Sequence, residues 1–67
     1  MASPARVLLT GATGFLGHHL RDVLRTKHVD LVLASRNGVD RRLDLDDLDD
    51  LRALVQELAP DLVIHAA

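Results

Sequence analysis

Residues 10–17 read Thr-Gly-Ala-Thr-Gly-Phe-Leu-Gly and contain three glycines, each three positions from the next. A short, largely apolar run at 6–10 precedes this segment, and apolar residues recur every three or four positions from Phe15 onward. A run that is apolar throughout is typical of a buried parallel strand, whereas the recurrence is typical of one face of a helix. The segment therefore predicts a glycine turn that joins a strand to a helix.

The rest of the chain repeats this alternation. After a first helix from Phe15 to about Thr26, the pattern predicts a strand at 30–34, a short strand at 42–45, a helix at 46–58 that Pro60 stops, and a strand at 62–65. Strands that alternate with helices indicate a parallel sheet with right-handed crossovers. The fold class is therefore α/β, and we predict the N-terminal half of a Rossmann doubly wound sheet (β-α-β-β-α-β) with strand order 3-2-1-4.

Composition excludes several classes of function. The 67 residues are 48% hydrophobic with a net charge of −2, so neither disorder nor a basic surface for nucleic acid or membrane lipid is expected. The absence of cysteine excludes disulfides and thiolate metal sites, and the four histidines show no zinc-ligand spacing. No signal peptide or membrane span is legible, so a cytoplasmic location is expected.

The three glycines have distinct roles in a turn of this kind. Gly11 permits a tight exit from the strand, Gly14 lets a diphosphate approach the backbone, and Gly17 lets the helix pack against the sheet. Free N–H groups at the helix start would face the phosphates. The alternative is a turn that merely needs glycine. A mononucleotide P-loop is excluded because 17–19 read Gly-His-His. The residues predicted to contact the diphosphate are Gly11, Thr13, Gly14, Phe15, Leu16 and Gly17.

The end of the second strand predicts which dinucleotide binds. An NAD-preferring site has an acidic residue there, but this chain has Ser35 and Arg36, which suit the 2′-phosphate of NADP. Asp30 lies 19 positions after Gly11 but at the opposite end of the strand, so we interpret it as a solvated loop residue. NADP is therefore the predicted cofactor, with NAD as the alternative. Arg36 as an ordinary surface residue is the competing interpretation.

These motifs resemble two known families over essentially the whole chain. The glycine turn and the final segment, Pro60-Asp-Leu-Val-Ile-His-Ala-Ala67, are similar to the cofactor-binding part of the extended short-chain dehydrogenase/reductase family, which includes NAD-dependent epimerases and dehydratases. The saccharopine-dehydrogenase-like reductases are similar over the same stretch. The resemblance implies that Asp44 and Leu45 contact the adenine. Asp44 could instead cap a helix or be an exposed charge.

The resemblance also implies roles for the last three residues. Ala66 and Ala67 match small residues beside the cofactor ribose, although core packing explains them as well. His65 falls near the expected nicotinamide position, where we predict a structural role, bonding loop backbone, rather than acid–base catalysis.

No catalytic residue can be assigned within the 67 residues. The short-chain family implies a Tyr-x-x-x-Lys pair, but this chain has no tyrosine and Lys27 is its only lysine. We expect residues 1–67 to be a partial NAD(P)-binding Rossmann domain, with the catalytic and substrate-binding part absent. Whether the protein is an enzyme stays open. A dinucleotide-sensing regulator without catalysis is an alternative, and so is a truncation product with no function of its own. An open fourth strand could promote self-association.

Overall fold

The structure, a computed structural model, describes residues 4–66. Six elements follow one another along the chain: β1 (Ala5–Thr10), α1 (Phe15–Arg25), β2 (Val29–Ser35), β3 (Arg41–Arg42), α2 (Leu48–Leu58) and β4 (Leu62–His65). The four strands form one parallel sheet in the order β3-β2-β1-β4. The predicted α/β class and strand order are confirmed.

The sheet separates two apolar cores. Leu8 of β1 packs on the face covered by α2, together with Leu54. Its neighbour Leu9 packs on the opposite face with Ala12 and the α1 residues Leu20 and Leu24. Successive side chains of a strand point to opposite faces, so a strand between two helical layers must be apolar at adjacent positions. This explains why β1 lacks the alternation of a half-exposed strand.

The two helices begin in different ways. Gly14 is the N-cap of α1 and has no side chain with which to accept a hydrogen bond. Asp47 caps α2, and its Oδ1 accepts the backbone N–H groups of Asp49 and Asp50, each at 3.1 Å. The prediction started α2 at Asp46, two residues too early, because the capping residue has extended backbone and lies outside the helix.

The third strand is shorter and earlier than predicted. It spans only Arg41–Arg42, rather than 42–45, and pairs with the last two residues of β2. The chain then turns, because the Oδ1 atom of Asp44 accepts the N–H of Asp46 at 3.0 Å and the carbonyl of Asp44 accepts the N–H of Asp47 at 3.1 Å. These short-range bonds compete with strand pairing, as aspartate often does.

Arg6 joins three elements at the end of the sheet where the strands begin. Its Nε donates to Oδ2 of Asp30 at 2.9 Å, and its Nη1 donates to the carbonyl of Leu58 at 2.7 Å. Its backbone N–H donates to the side chain of Asp61 at 2.8 Å. The interpretation of Asp30 as a loop residue was wrong, because it lies within β2 and is paired with Arg6. It does lie at the opposite end of β2 from Ser35.

Among residues 4–66, no helix is both long enough and apolar enough to cross a bilayer.

Candidate dinucleotide site

The glycine turn packs as tightly as its spacing predicts. Gly11 has a φ of +69°, a conformation that glycine adopts without the steric penalty of a side chain. A Cβ on Gly17 would lie 2.1 Å from the carbonyl oxygen of Gly11 and 2.8 Å from the Cα of Ala12. Backbone atoms cannot move aside as the end of a side chain can. Glycine at position 17 is therefore required by the packing of α1 on the turn.

Gly14 differs from the other two glycines of the turn because neither its backbone conformation nor the space around it requires glycine. Its backbone is extended (φ −76°, ψ 174°), a conformation open to any residue. A Cβ there would meet the carbonyl oxygens of Gly11 at 3.6 Å and Ala66 at 4.0 Å, which are ordinary contacts. Neither conformation nor packing among the described residues accounts for glycine at this position.

The start of α1 is suited to an anion. Its N-cap makes no side-chain hydrogen bond, and its first turn contains no acidic residue. The first N–H groups of a helix have no partner within the helix, and the helix dipole adds partial positive charge there. Phe15, the first helical residue, is 89% exposed, so its side chain is not packed in the core. By contrast, the Asp47 side chain accepts two N–H groups at the start of α2, and Asp49 and Asp50 place negative charge in its first turn.

A cleft of about 310 Å³ opens where β1 and β2 end, beside the glycine turn. This volume is at the lower end of the range for small-molecule sites. The residues lining it are Thr10, Gly11, Thr13, Ala34, Ser35, Arg36, Asn37, Leu43 and Leu45. The cleft thus brings together five of the predicted site residues, namely Gly11, Thr13, Ser35, Arg36 and Leu45.

Ser35 and Arg36 provide the polar wall of this cleft. Ser35 is 5% exposed, and its hydroxyl has no hydrogen-bond partner in the described structure. The Arg36 side chain is 69% exposed, and its Nη2 donates to Oδ1 of Asp44 at 3.5 Å and to Oδ2 of Asp46 at 3.2 Å. An unpaired buried hydroxyl is unfavourable unless a ligand or water satisfies it. An exposed cation and a buried hydroxyl without a partner therefore follow one another at the end of β2.

Asp44 lies beside the cleft and does not cap α2. The capping interpretation of Asp44 was wrong, because Asp47 fills that position. Asp44 is exposed and pairs with the guanidinium of Arg36, whereas Leu45 is half-buried and lines the cleft. Contact of either residue with adenine stays a prediction.

His65 forms a structural contact, but with a different partner than predicted. Its Nδ1 lies 2.7 Å from the hydroxyl oxygen of Thr10, the residue with which it is paired across β1 and β4. The partner is therefore a strand side chain and not loop backbone. Ala66 is buried in the core on the α1 face, and its N–H donates to the carbonyl of Thr10 at 3.0 Å. Ala67 lies outside the described residues.

Four further residues line the cleft that the sequence had not indicated: Thr10, Ala34, Asn37 and Leu43. All four follow from topology, because ligands of open α/β sheets bind beyond the carboxyl ends of the strands. Arg41 and Arg42, the next two cations along the chain after Arg36, do not line the cleft. Arg41 instead pairs with Glu57 of α2. Residues 4–66 contain no group of three or more potential metal ligands.

The fold and the glycine turn define a Rossmann-type nucleotide-binding unit. The family model of the NAD dependent epimerase/dehydratase family matches residues 7–67, and the chain belongs to that family. Of the two families that the sequence resembles, the match is therefore to the epimerase/dehydratase family and not to the saccharopine-dehydrogenase-like reductases.

Solved structures and a curated relative agree with this assignment. dTDP-4-dehydrorhamnose reductase of Bacillus anthracis, solved in complex with NADP, superposes with a TM-score of 0.84 at 31% identity over 100% of this chain and 22% of that one. L-threonine dehydrogenase of Clostridium difficile superposes at 0.78 and 22% identity over 96% of this chain and 24% of that one, which bears on the fold alone.

Divinyl chlorophyllide a 8-vinyl-reductase of Oryza sativa subsp. indica, a chloroplastic protein, is 36% identical over an alignment of 81 residues, 97% of this chain and 20% of the relative. The chain thus spans about a fifth of the length of these relatives. The cytoplasmic location predicted from the sequence stays a prediction.

Proposed function

We propose that the chain is the NADP(H)-binding part of an extended short-chain dehydrogenase-type oxidoreductase, epimerase or dehydratase. The observation that carries the proposal is the cleft in which the glycine turn meets Ser35 and Arg36. Its residues fit the cofactor: the turn leads into a helix start without a side-chain cap, and the far wall carries a cation and an unsatisfied hydroxyl.

The glycine turn would hold the diphosphate. Backbone conformation and packing do not account for glycine at position 14, whereas a diphosphate that approaches the backbone of the turn supplies a reason. The N–H groups of Phe15 and Leu16 would donate to its oxygens, with Thr13 and Gly17 completing the turn. Asp44, Leu45, Ala66 and Ala67 would line the adenosine and ribose portions, as the family resemblance implies.

Arg36 would determine the preference for NADP over NAD. In NAD-preferring sites an acidic residue at the end of the second strand accepts the ribose 2′-hydroxyl, and here Arg36 follows β2 directly. The guanidinium would pair with the 2′-phosphate, and Ser35 would donate to it. A structural relative solved with NADP supports the same cofactor.

The proposal assigns binding and orientation, but not catalysis, to these residues. When bound, the dinucleotide supplies hydride transfer, and the protein positions it. Because the chain spans about a fifth of its relatives, we propose that it is the front part of a longer protein that contains the substrate site and the catalytic groups. That longer protein is called the full-length protein below.

The test is to titrate the full-length protein with NADPH and NADH and to repeat both titrations with Arg36→Ala. We expect tighter binding of NADPH, and a loss of about tenfold in NADPH affinity on substitution, the value of one hydrogen bond to a charged group. NADH affinity should change little. Arg42→Ala is the matched control, since Arg42 is exposed and does not line the cleft. Equal affinities that Arg36→Ala leaves unchanged would contradict the preference for NADP.

A further inference from the structure

Asp46 has one interaction through its carboxylate in the described part of the chain. Its Oδ2 accepts from Nη2 of Arg36 at 3.2 Å, and the side chain is 86% exposed. Asp46 does not cap α2, does not line the cleft and does not belong to either core. Among the described residues, the carboxylate of Asp46 therefore contacts only Arg36, and a change at Asp46 should act on the site through that contact.

Arg36 shares a single nitrogen between two carboxylates. Nη2 donates both to Asp46 and, at 3.5 Å, to Oδ1 of Asp44. A phosphate that binds this guanidinium meets the negative charge of both carboxylates, and at Nη2 it also competes with them for the donor. A ribose 2′-hydroxyl has no charge and meets neither obstacle.

We infer that Asp46 lowers the affinity of the site for 2′-phosphorylated dinucleotides, relative to their unphosphorylated counterparts, by holding the guanidinium of Arg36. This inference rests on the proposed function of the cleft. Asp46 thus influences specificity without contacting the ligand. The ratio of NADP affinity to NAD affinity is smaller with Asp46 present than it would be with Arg36 alone.

Asp46 differs from Asp44 in a way that allows the test. Oδ1 of Asp44 also accepts the backbone N–H of Asp46 at 3.0 Å, which fixes the turn before α2. Replacing Asp44 would disturb that turn as well as Arg36. Asp46→Asn removes a charge from an exposed side chain and leaves the backbone N–H of position 46 in its bond to Asp44.

The size of the effect follows from exposure. The side chains of Arg36, Asp44 and Asp46 are 69%, 51% and 86% exposed, so water and salt weaken their attraction. Exposed ion pairs of this kind correspond to an affinity change of about two- to fivefold. The change should shrink as the ionic strength rises, because screening weakens the competing pair.

The experiment measures the dissociation constants of NADPH and NADH with the full-length protein and its Asp46→Asn variant. Asp46→Ala is measured alongside, because an asparagine oxygen can still accept from Arg36. We expect both variants to bind NADPH about two- to fivefold more tightly, with NADH unchanged. Asp49→Asn is the charge-matched control, since Asp49 lies in the first turn of α2 and does not pair with Arg36.

A second background separates the two possible routes of the effect. If Asp46 acts through Arg36, Asp46→Asn should no longer change the ratio of the two affinities when Arg36→Ala is already present. A ratio that shifts equally in Asp46→Asn and Asp49→Asn, or that still shifts without Arg36, would overturn the inference and leave the proposed function standing. Failure of the unsubstituted protein to bind either dinucleotide would instead overturn the proposed function.

Discussion

Gly17 faces the carbonyl oxygen of Gly11 so closely that a Cβ at position 17 would lie 2.1 Å from it. Real Cβ atoms do not approach oxygen to this distance, so a side chain at position 17 would force α1 away from the turn. The start of α1, which the proposed site uses, is positioned by this contact between two glycines. Fold and site therefore depend on the same pair of residues.

Gly17→Ala should destabilise the protein by about 3 kcal/mol, the upper end of the range for overpacking, because the opposing atoms belong to the backbone. The better helix propensity of alanine recovers about 1 kcal/mol at most. Thermal or urea unfolding of the full-length protein measures the difference. Unchanged stability would show that α1 can move without loss.

Gly14→Ala should weaken binding of the dinucleotide but leave the stability of the protein nearly unchanged. A Cβ at this position meets only ordinary contacts, and the backbone conformation suits alanine, so stability should change by less than about 1 kcal/mol. Binding of the dinucleotide should weaken about tenfold or more, because the methyl group displaces the diphosphate from the N–H groups of the helix start. Titration with NADPH and a melting curve on the same sample separate the two effects. Full affinity in a stable variant would argue that the diphosphate lies elsewhere.

Asp47→Ala should cost about 1 kcal/mol of stability through loss of the α2 cap. Asparagine accepts the same two N–H groups, so Asp47→Asn should be close to the unsubstituted protein. The pair distinguishes the hydrogen bonds from the charge, since both changes remove the carboxylate. An equal loss in the two variants, measured by urea unfolding, would assign the contribution to charge near the helix dipole instead.

Arg6→Ala should destabilise more than Asp30→Ala. The first change removes the bonds from Arg6 to both Leu58 and Asp30, whereas the second removes only the ion pair. That pair is more than two-fifths exposed on both sides and contributes at most about 1 kcal/mol, while the bond from a guanidinium to a helix carbonyl adds about 1.5 kcal/mol or more. Urea unfolding of the two variants gives the order. Equal losses would place the whole effect in the ion pair.

The 67-residue chain on its own should self-associate. In the part that the structure describes, β4 pairs only with β1, and Leu62 at its start is 52% exposed. An unpaired, partly apolar strand edge is a template for pairing with a second chain. Analytical ultracentrifugation over a concentration series tests this. A monodisperse monomer that unfolds cooperatively at every concentration would count against it.

The elements with strong periodicity were predictable from the sequence. The bounds of β4 agree at both ends, and α1 begins at Phe15 as predicted, because glycine spacing and apolar runs are local signals. β3 and the start of α2 were misplaced, since aspartate side chains at 44 and 47 bind backbone N–H groups and decide where the chain turns. Local propensity alone does not reveal which aspartate takes which N–H.

The site was predictable in outline but not in its electrostatics. The position of Arg36 at the end of β2 follows from topology, and the cleft contains it. Its pairing with Asp44 and Asp46 depends on the fold of the loop between β2 and α2, which no periodic pattern specifies. The role of Arg6 was likewise missed, because its partners lie 24 and 52 positions away.

Leu8 and Leu9 are the same amino acid, although they serve opposite cores. If β1 slid by one residue against its neighbours, each core would still receive one leucine, so the apolar pattern by itself does little to prevent misalignment of the central strand. Alignment must therefore come from the two ends of β1, where Arg6 is tied to Asp30 and Asp61 and where Gly11 makes its left-handed turn. A one-residue deletion within β1 should therefore destabilise the protein mainly because the contacts of Arg6 and the turn at Gly11 can no longer form together. The loss of one leucine from a core should matter less.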